Sequence, residues 1–398
     1  MEYILRRAHK AGIFGWLYVM TLFHAFHFFS IHFVNSSFLE GLFGNQTDVG
    51  LMVAASNALT LLVLISVVVF LKQLGNYQTA LLVTSINLIA SLGLACVSDT
   101  GWLFVFYVLH TTMLPVTLFC LDVFLESYTK DESSTGAVRG VFLSMSITAA
   151  LFAPVITGWI MGDAAVYRYA YLSSVLYLIP TLFILVFRFR KFEDPEYDVL
   201  SVPDMVRALK NNRDIFHVSS AQFFLRFYFS WMVVYLPIYL HQVIGFDWTE
   251  IGIILFLMIV PSILIEYPAG LIADKYLGEK ELMVTGFLIT GGSTIALFFL
   301  DSSSIFIWGG MLFLTRVGCA LIESMTATYF LNQNDDDDTN ILSIFRMLRP
   351  LAYTVGPFSA GILLYFVSGD EGLRFLWLLL GIFMFFGTIN SLSLKDTR

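Results

Sequence analysis

Twelve apolar runs, each of roughly 20 residues and separated by short polar breaks, constrain this chain more than any other feature. A helix that crosses a bilayer needs about that length, because its backbone polar groups are satisfied only within the helix. Only 13% of the residues are charged and 58% are hydrophobic, against about 25% charged in an ordinary soluble domain. We therefore predict an all-α membrane protein with twelve transmembrane helices, at residues 12–34, 49–71, 78–97, 102–125, 139–161, 168–187, 215–240, 250–272, 281–300, 305–330, 341–366 and 373–393.

Lysine and arginine fall mainly on one side of these predicted spans. With the N-terminus inside, 18 of the 22 basic residues lie in inside segments, whereas the outside loops hold only Arg168 and Arg374. Cytoplasmic loops of membrane proteins carry such an excess of positive charge. We therefore predict that both termini are cytoplasmic and that the protein lies in the plasma (inner) membrane.

The longest polar stretch, residues 188–214, lies about halfway along the chain and separates two similar halves. The sequence TDVG at Thr47–Gly50 is matched by TEIG at Thr249–Gly252, 202 residues later, and Pro154 is matched by Pro357. The repeat predicts two pseudo-symmetric six-helix bundles, at residues 1–192 and 214–398. A cytoplasmic linker with a short interfacial helix, residues 193–213, is predicted to join them. Such a repeat is typical of transporters, which bind their substrate near the middle of the membrane.

The segment PAGLIADKYLGEKELM, Pro268–Met283, covers the loop between predicted spans 8 and 9. It resembles the loop motif Gly-x-x-x-Asp-Arg/Lys-x-x-Gly-x-Arg/Lys of the major facilitator superfamily. Its main positions are filled by Gly270, Asp274, Lys275, Gly278 and Lys280. The helix number, the linker and the repeat extend the resemblance over nearly the whole chain.

The resemblance implies a cytoplasmic gate at this motif, because an acid at a helix end can accept hydrogen bonds from the N-terminus of a neighbouring helix. The alternative is an ordinary charged cytoplasmic turn. The corresponding loop between spans 2 and 3 keeps Lys72 and Gly75 but has Leu71 in place of the acid. Asp122 and Glu266, near the inner ends of spans 4 and 8, are candidates for gate ion pairs.

Ionisable residues well inside the spans occur only in spans 1, 4, 7 and 10. They are His24, His27, His110, Arg226, Arg316 and Glu323. Charges at such depth are costly unless they are paired or functional. In the superfamily that this chain resembles, the first helix of each three-helix unit lines the central cavity, which implies a substrate and coupling site at these six residues. The alternatives are neutral structural histidines and structural pairing of the arginines.

Arg316 and Glu323 are seven residues apart, which is about 10 Å along a helix axis. We therefore expect them to share a helix face without a direct bond, each with another partner. We also expect Glu323, with His24 or His27, to carry a coupling proton, because a carboxylate that gains and loses an arginine partner would release and take up a proton. The alternative is that Glu323 is a permanent counter-ion of an arginine.

The function that these features predict is secondary active transport of a small molecule by alternating access, coupled to protons. The alternative is a transport-inactive membrane receptor or scaffold of the same family. Two arginines inside the membrane suit an anionic substrate, whereas Glu323 beside many aromatic residues suits a lipophilic cation. The sequence contains no nucleotide-binding phosphate loop and no His-Glu-x-x-His or Gly-x-Ser-x-Gly motif, so we do not expect an enzyme.

The expected partners are the substrate, H+ and the lipid bilayer, with no nucleic acid. No cofactor or metal is expected, since the three cysteines lie in apolar runs without ligand spacing. We expect a monomer.

Overall fold

The computed structural model describes residues 2–129, 135–162, 166–197, 202–332 and 339–395, and nearly all of these residues are helical. Residues 239–244 continue the ninth helix as a π-helical turn. The helices are α1 (Glu2–His32), α2 (Asn35–Phe43), α3 (Gln46–Leu74), α4 (Asn76–Cys96), α5 (Thr100–Thr129), α6 (Thr135–Met161), α7 (Tyr167–Arg188), α8 (Val202–Asn211), α9 (Arg213–Ile238), α10 (Trp248–Lys275), α11 (Glu279–Phe298), α12 (Ile305–Asn332), α13 (Thr339–Phe366) and α14 (Asp370–Leu392).

Within the described residues, eleven helical segments are long and apolar enough to cross a membrane. They correspond to eleven of the twelve predicted spans. The other predicted span, residues 341–366, falls in α13, which carries Arg349 and two prolines in its helix. The short helix α8 lies inside the predicted linker.

The starts of equivalent helices in the two halves are built in the same way. Asn45 precedes α3, and its Oδ1 accepts a hydrogen bond of 2.7 Å from the backbone N–H of Asp48. Asp247, 202 residues later, precedes α10 and accepts a hydrogen bond of 2.8 Å from the backbone N–H of Glu250. These side chains satisfy N–H groups that have no partner within a helix. The sequence repeat is therefore also a repeat of helix capping.

The glycines with positive φ fall into three pairs, one member in each half. They are Gly44 and Gly245 (φ 76° and 88°), Gly75 and Gly278 (80° and 95°), and Gly162 and Gly369 (54° and 83°). Side chains with a Cβ rarely adopt this conformation, so glycine is favoured at each of these turns. The turns that connect equivalent helices therefore each contain a glycine with positive φ.

The two basic residues predicted on the outside also occupy equivalent positions. Arg168, near the start of α7, donates to the carbonyl of Val97 at the end of α4 (3.3 Å). Arg374, near the start of α14, donates to the carbonyl of Phe298 at the end of α11 (2.6 Å). A cation at a helix C-terminus satisfies a free carbonyl and interacts favourably with the helix dipole.

Two compact units make up the chain. The first consists of Met1–Val34 and Leu59–Val199, and the second of Asn35–Ala58 and Leu200–Arg398. The predicted boundaries assign residues 35–58 to the first bundle, but in the structure they pack within the second unit. The reason is a close approach at Gly50, where a Cβ would lie 2.6 Å from the carbonyl oxygen of Pro357. The division at residues 193–213 stays a prediction.

Candidate functional site

A carboxylate shared by two arginines lies in the second unit. Glu323 Oε1 on α12 lies 2.9 Å from Nη2 of Arg226 on α9, and its Oε2 lies 3.3 Å from Nη2 of Arg316 on α12. The three side chains are between 20% and 27% exposed. The structure thus joins three of the predicted site residues in one charged cluster, which we call the arginine cluster.

The expectation that Arg316 and Glu323 are too far apart for a direct bond was wrong. Their separation along α12 is about two turns, or roughly 10 Å. A helical side chain leans towards the N-terminus, so that of Glu323 leans towards Arg316. The guanidinium lies at the end of a long flexible side chain, and the two side chains together cover the distance. The expectation from the rise per residue along the helix axis left out the length and direction of the two side chains.

Arg226 is contacted by a residue of its own helix, Gln222, as well as by Glu323. With its amide oxygen towards Arg226, Gln222 accepts hydrogen bonds from Nε (3.0 Å) and Nη2 (2.9 Å), and its amide nitrogen donates to Thr326 Oγ1 (3.1 Å). Thr326 in turn donates to the carbonyl of Ile322 (2.8 Å). Residues four apart on a helix lie on one face, which is why Gln222 meets Arg226. The guanidinium therefore has a fixed orientation.

Arg316 has a separate set of contacts. Its Nε donates to Ser262 Oγ on α10 at 2.6 Å. The ring of Phe229 lies near both guanidiniums, with its centroid 4.8 Å from Cζ of Arg316 and 5.8 Å from Cζ of Arg226. Glu266, one turn after Ser262, interacts electrostatically with Arg316 and Glu323. Glu266 therefore lies close enough to the arginine cluster to interact with its charges, and its role in a gate ion pair stays a prediction.

The three predicted histidines meet in the first unit. His24, His27 and His110 are all buried, with ring centroids 6.3 Å apart for His24 and His27 and 5.3 Å apart for His27 and His110. Asn87 of α4 lies between two of them: its Nδ2 is 3.1 Å from His27 Nε2, and its Oδ1 is 2.6 Å from His110 Nδ1. We call these four residues the histidine cluster.

The hydrogen bonds of the histidine cluster determine which ring nitrogens carry protons. His27 Nδ1 lies 3.1 Å from the carbonyl of Ser174, which can only accept, so Nδ1 donates and Nε2 accepts from Asn87. The amide oxygen of Asn87 then accepts from His110 Nδ1, which leaves Nε2 of His110 as an acceptor. His27 therefore has the bonds that the structural alternative requires of a neutral imidazole.

Two buried ring nitrogens of the histidine cluster have no hydrogen-bond partner in the described part of the chain. They are His24 Nδ1 and His110 Nε2. Among the described residues, no group of three or more His, Cys, Asp or Glu side chains could hold a metal ion.

The cytoplasmic motif spans the turn from α10 to α11. Gly278, with its positive φ, precedes α11, and its N–H donates to the carbonyl of Ala273 (3.0 Å). Gly270 lies in α10, Lys275 ends it, and Lys280 follows in the first turn of α11. The side chain of Asp274 lies outside the described part of the structure, so the latch stays a prediction. Asp122, the other gate candidate, is partly buried on α5.

An acid from elsewhere in the chain occupies the equivalent turn of the first half. Asp194 Oδ1 accepts hydrogen bonds of 2.6 Å from the backbone N–H of Asn76 and from the hydroxyl of Tyr197. Asn76 begins α4, directly after Gly75. Burial, followed by the hydrogen bond to Asp194, raises the pKa of Tyr197 well above its usual range. The loop that has Leu71 in place of the acid is thus supplied with a carboxylate from the segment after α7.

Several residues of both clusters were missed because the sequence analysis considered only ionisable side chains. Asn87 belongs to the histidine cluster, and Gln222, Ser262 and Thr326 support the arginine cluster; all four are uncharged. Gln222 could have been predicted from the sequence, since it lies four residues before Arg226 and therefore on the same helix face. Asn87 could not have been predicted in this way, because its partners lie on other helices.

Comparison with known proteins gives a family and a fold. The family model described as Major Facilitator Superfamily matches residues 17–332 and 218–398. No curated protein matches the sequence. A bacterial homologue of the human lysosomal transporter Spinster, inward-facing and unoccupied, has a TM-score of 0.76 and 12% identity over 96% of both chains. The nucleoside transporter NupG has a TM-score of 0.74 and 13% identity over 96% of this chain and 98% of its own.

Proposed function

Because the chain belongs to the major facilitator superfamily, we propose that it is a secondary active transporter that moves a small anion by alternating access, coupled to protons. The family and the apolar helices make it a multi-pass membrane protein of a transporter family. In this proposal the protein acts by binding and conformational change rather than by catalysis. The observation that carries the proposal is the sharing of one carboxylate, Glu323, between Arg226 and Arg316.

The geometry supports competition between Glu323 and the substrate. A planar guanidinium binds a carboxylate or phosphate through two parallel hydrogen bonds, and Arg226 and Arg316 present two such groups around one acid. An anion that takes over these guanidiniums releases Glu323, and the released carboxylate then takes up a proton. The two arginines retain one anionic partner throughout, so the cluster keeps its charge while a proton and an anion bind together.

A lipophilic cation fits this arrangement less well. Glu323 is the negative group that such a cation would need, and both of its oxygens already face guanidiniums. The cation would have to displace two arginines that are held in place by Gln222 and Ser262. Displaced guanidiniums inside a membrane-spanning segment would be left without a counter-charge, at a cost of several kcal/mol.

Transport assays with reconstituted Glu323→Gln protein test the coupling. The amide keeps one oxygen that accepts from a guanidinium but cannot exchange a proton. We expect the variant to lose accumulation driven by a pH gradient and to keep exchange between equal concentrations of anion. Arg226→Lys and Arg316→Lys should each weaken anion binding about tenfold, although the charge is kept. Candidate anions are lactate, succinate and inorganic phosphate, screened by thermal shift on purified protein.

The matched control is Glu371→Gln, an exposed acid in the first turn of α14. It should behave as the wild type in every assay. A stable Glu323→Gln protein that is still driven by a pH gradient contradicts the coupling, and a strongly destabilised one indicates a permanent counter-ion. Failure of all anions to bind or move would favour the receptor or scaffold alternative.

A further inference from the structure

The carboxylate that occupies the arginine cluster shows which anion geometry the cluster accepts. Glu323 presents one oxygen to each arginine, with Oε1 2.9 Å from Nη2 of Arg226 and Oε2 3.3 Å from Nη2 of Arg316. A carboxylate has two oxygens, so each of them faces one guanidinium. An anion that takes the place of Glu323 between the same two nitrogen atoms therefore has two oxygens with charged partners.

An apolar ring lies beside both guanidiniums. Phe229 follows Arg226 by three residues on α9, which places the two side chains on one helix face. The Cζ atoms of Arg316 and Arg226 lie over its ring, 4.8 Å and 5.8 Å from the centroid. The ring is partly buried, and a phenylalanine has no side-chain group that donates a hydrogen bond. The side of the arginine cluster at Phe229 is therefore apolar.

The repeated scaffold does not require an apolar side chain at this position. The residue 202 positions before Phe229 is His27, whose Nδ1 donates to the carbonyl of Ser174 and whose Nε2 accepts from Asn87. A ring with two polar atoms in the first unit thus corresponds to a ring with none in the second. Since the first unit accommodates a polar ring here, we look for the reason for Phe229 in what the arginine cluster binds.

The apolar ring affects an organic carboxylate and inorganic phosphate differently. Either anion places two oxygens at Arg226 and Arg316. Inorganic phosphate has two further oxygens, and an oxygen directed at Phe229 loses water without gaining a hydrogen bond, which is unfavourable. An organic carboxylate has a carbon chain instead, and contact between this chain and the ring removes apolar surface from water. The carboxylate is therefore favoured even when the two anions carry the same charge.

We propose that Phe229 is a specificity-determining residue that makes the arginine cluster select organic carboxylates over inorganic phosphate. The ligand class is a carboxylate with a small apolar body. Its two oxygens bind at Arg226 and Arg316 in place of Glu323, and its carbon chain packs against Phe229. This inference rests on the proposed function, because it assumes that the arginine cluster binds an anionic substrate.

Binding measurements on purified full-length protein test the selectivity. The probes are butyrate and inorganic phosphate, at equal ionic strength and at a pH where each carries one charge. The selectivity ratio is the affinity for butyrate divided by the affinity for phosphate, and in the wild type it should be about ten or more.

Two substitutions of Phe229 separate polarity from the loss of the ring. Phe229→Asn and Phe229→Leu both remove the ring and leave side chains of similar size, of which one is polar and the other apolar. Phe229→Asn should lower the selectivity ratio about tenfold, because its amide donates to a phosphate oxygen, and Phe229→Leu should lower it less than about threefold. The control Phe216→Asn makes the same polar substitution at an exposed ring of α9 and should change neither affinity.

The outcomes separate this inference from the proposed function. A wild type that binds phosphate as tightly as butyrate, or equal selectivity ratios in Phe229→Asn and Phe229→Leu, overturns the inference and leaves the proposed anion transporter intact. If no anion binds the wild type, both fail. Should Phe229→Asn not fold, Phe229→Tyr replaces it, since it adds a hydroxyl to the same ring. A lower selectivity ratio in Phe229→Tyr than in Phe229→Leu then supports the inference, and equal ratios overturn it.

Discussion

The histidine cluster of the first unit and the arginine cluster of the second share one equivalent position of the sequence repeat but have opposite physical characters. His24 corresponds to Arg226, and His27 corresponds to Phe229, each 202 residues later. The histidine rings are completely or almost completely buried and are connected through one amide. The arginines and Glu323 are partly exposed and connected through one carboxylate.

The difference shows how one repeated scaffold accommodates two kinds of polar interior. A neutral imidazole can be buried fully when its nitrogens find neutral partners, because little charge has to be desolvated. A guanidinium cannot be neutralised, so it needs a carboxylate and some contact with water. We therefore expect the histidine cluster to contribute mainly to stability and the arginine cluster to determine what the protein binds.

The largest effect should come from removing the amide of the histidine cluster. Asn87→Leu leaves the buried His27 Nε2 without its partner, which costs about 1–3 kcal/mol, and it removes the shorter of the two contacts of His110 Nδ1, which keeps only Ser91 Oγ at 3.2 Å. We expect a loss of about 2–4 kcal/mol in the free energy of unfolding, measured by thermal or denaturant unfolding in detergent.

A matched control lies one turn earlier on the same helix. Thr84 is buried, and its hydroxyl has no hydrogen-bond partner in the described part of the chain, so Thr84→Val should be neutral or stabilising. A loss from Thr84→Val as large as that from Asn87→Leu would mean that α4 tolerates no substitution here. The amide would then have no special role.

Substitutions at the corresponding positions His24 and Arg226 should reduce the free energy of unfolding by less than Asn87→Leu does, and by unequal amounts. Arg226→Met leaves Glu323 with one guanidinium and Gln222 without its acceptor contacts, which should cost about 1–3 kcal/mol and abolish anion binding. His24→Leu removes a ring whose Nδ1 has no partner among the described residues, and should cost less than about 1 kcal/mol. Unfolding and anion binding are measured on both variants. Equal losses would show that the two clusters do not differ as described.

The smallest effect on stability is expected at the two arginines predicted on the outside, Arg168 and Arg374. They test the comparison at a position where the structures of the two halves agree. Arg374 is partly buried at its bond to Phe298, whereas Arg168 is exposed at its bond to Val97. Arg374→Gln should therefore cost up to about 1 kcal/mol, and Arg168→Gln at most a few tenths. Both are measured by unfolding under the same conditions. A larger loss at Arg168 would contradict the assignment of burial as the cause.

Several features could be predicted because they depend on neighbouring residues in the sequence. An apolar run of sufficient length forms a spanning helix whatever it packs against, since the bilayer leaves its backbone no other partner. The repeat could be recognised from Thr47–Gly50 and Thr249–Gly252 for the same reason, because helix starts are encoded locally. Arg226, Arg316 and Glu323 could be selected because charges inside an apolar run are costly anywhere in a membrane.

Only the tertiary structure determined which side chains meet. Asn87 bridges rings that are 60 and 23 residues away in the sequence, and Asp194 reaches the start of α4 across 118 residues. Even within α12, the bond between Arg316 and Glu323 depended on side-chain length and direction rather than on backbone spacing. The sequence by itself therefore determined where the helices lie and that they are apolar enough to span a membrane, through local hydrophobicity and capping. The pairing of polar groups was decided by packing, because an amide or a carboxylate has no preferred partner until the fold brings one within about 3 Å.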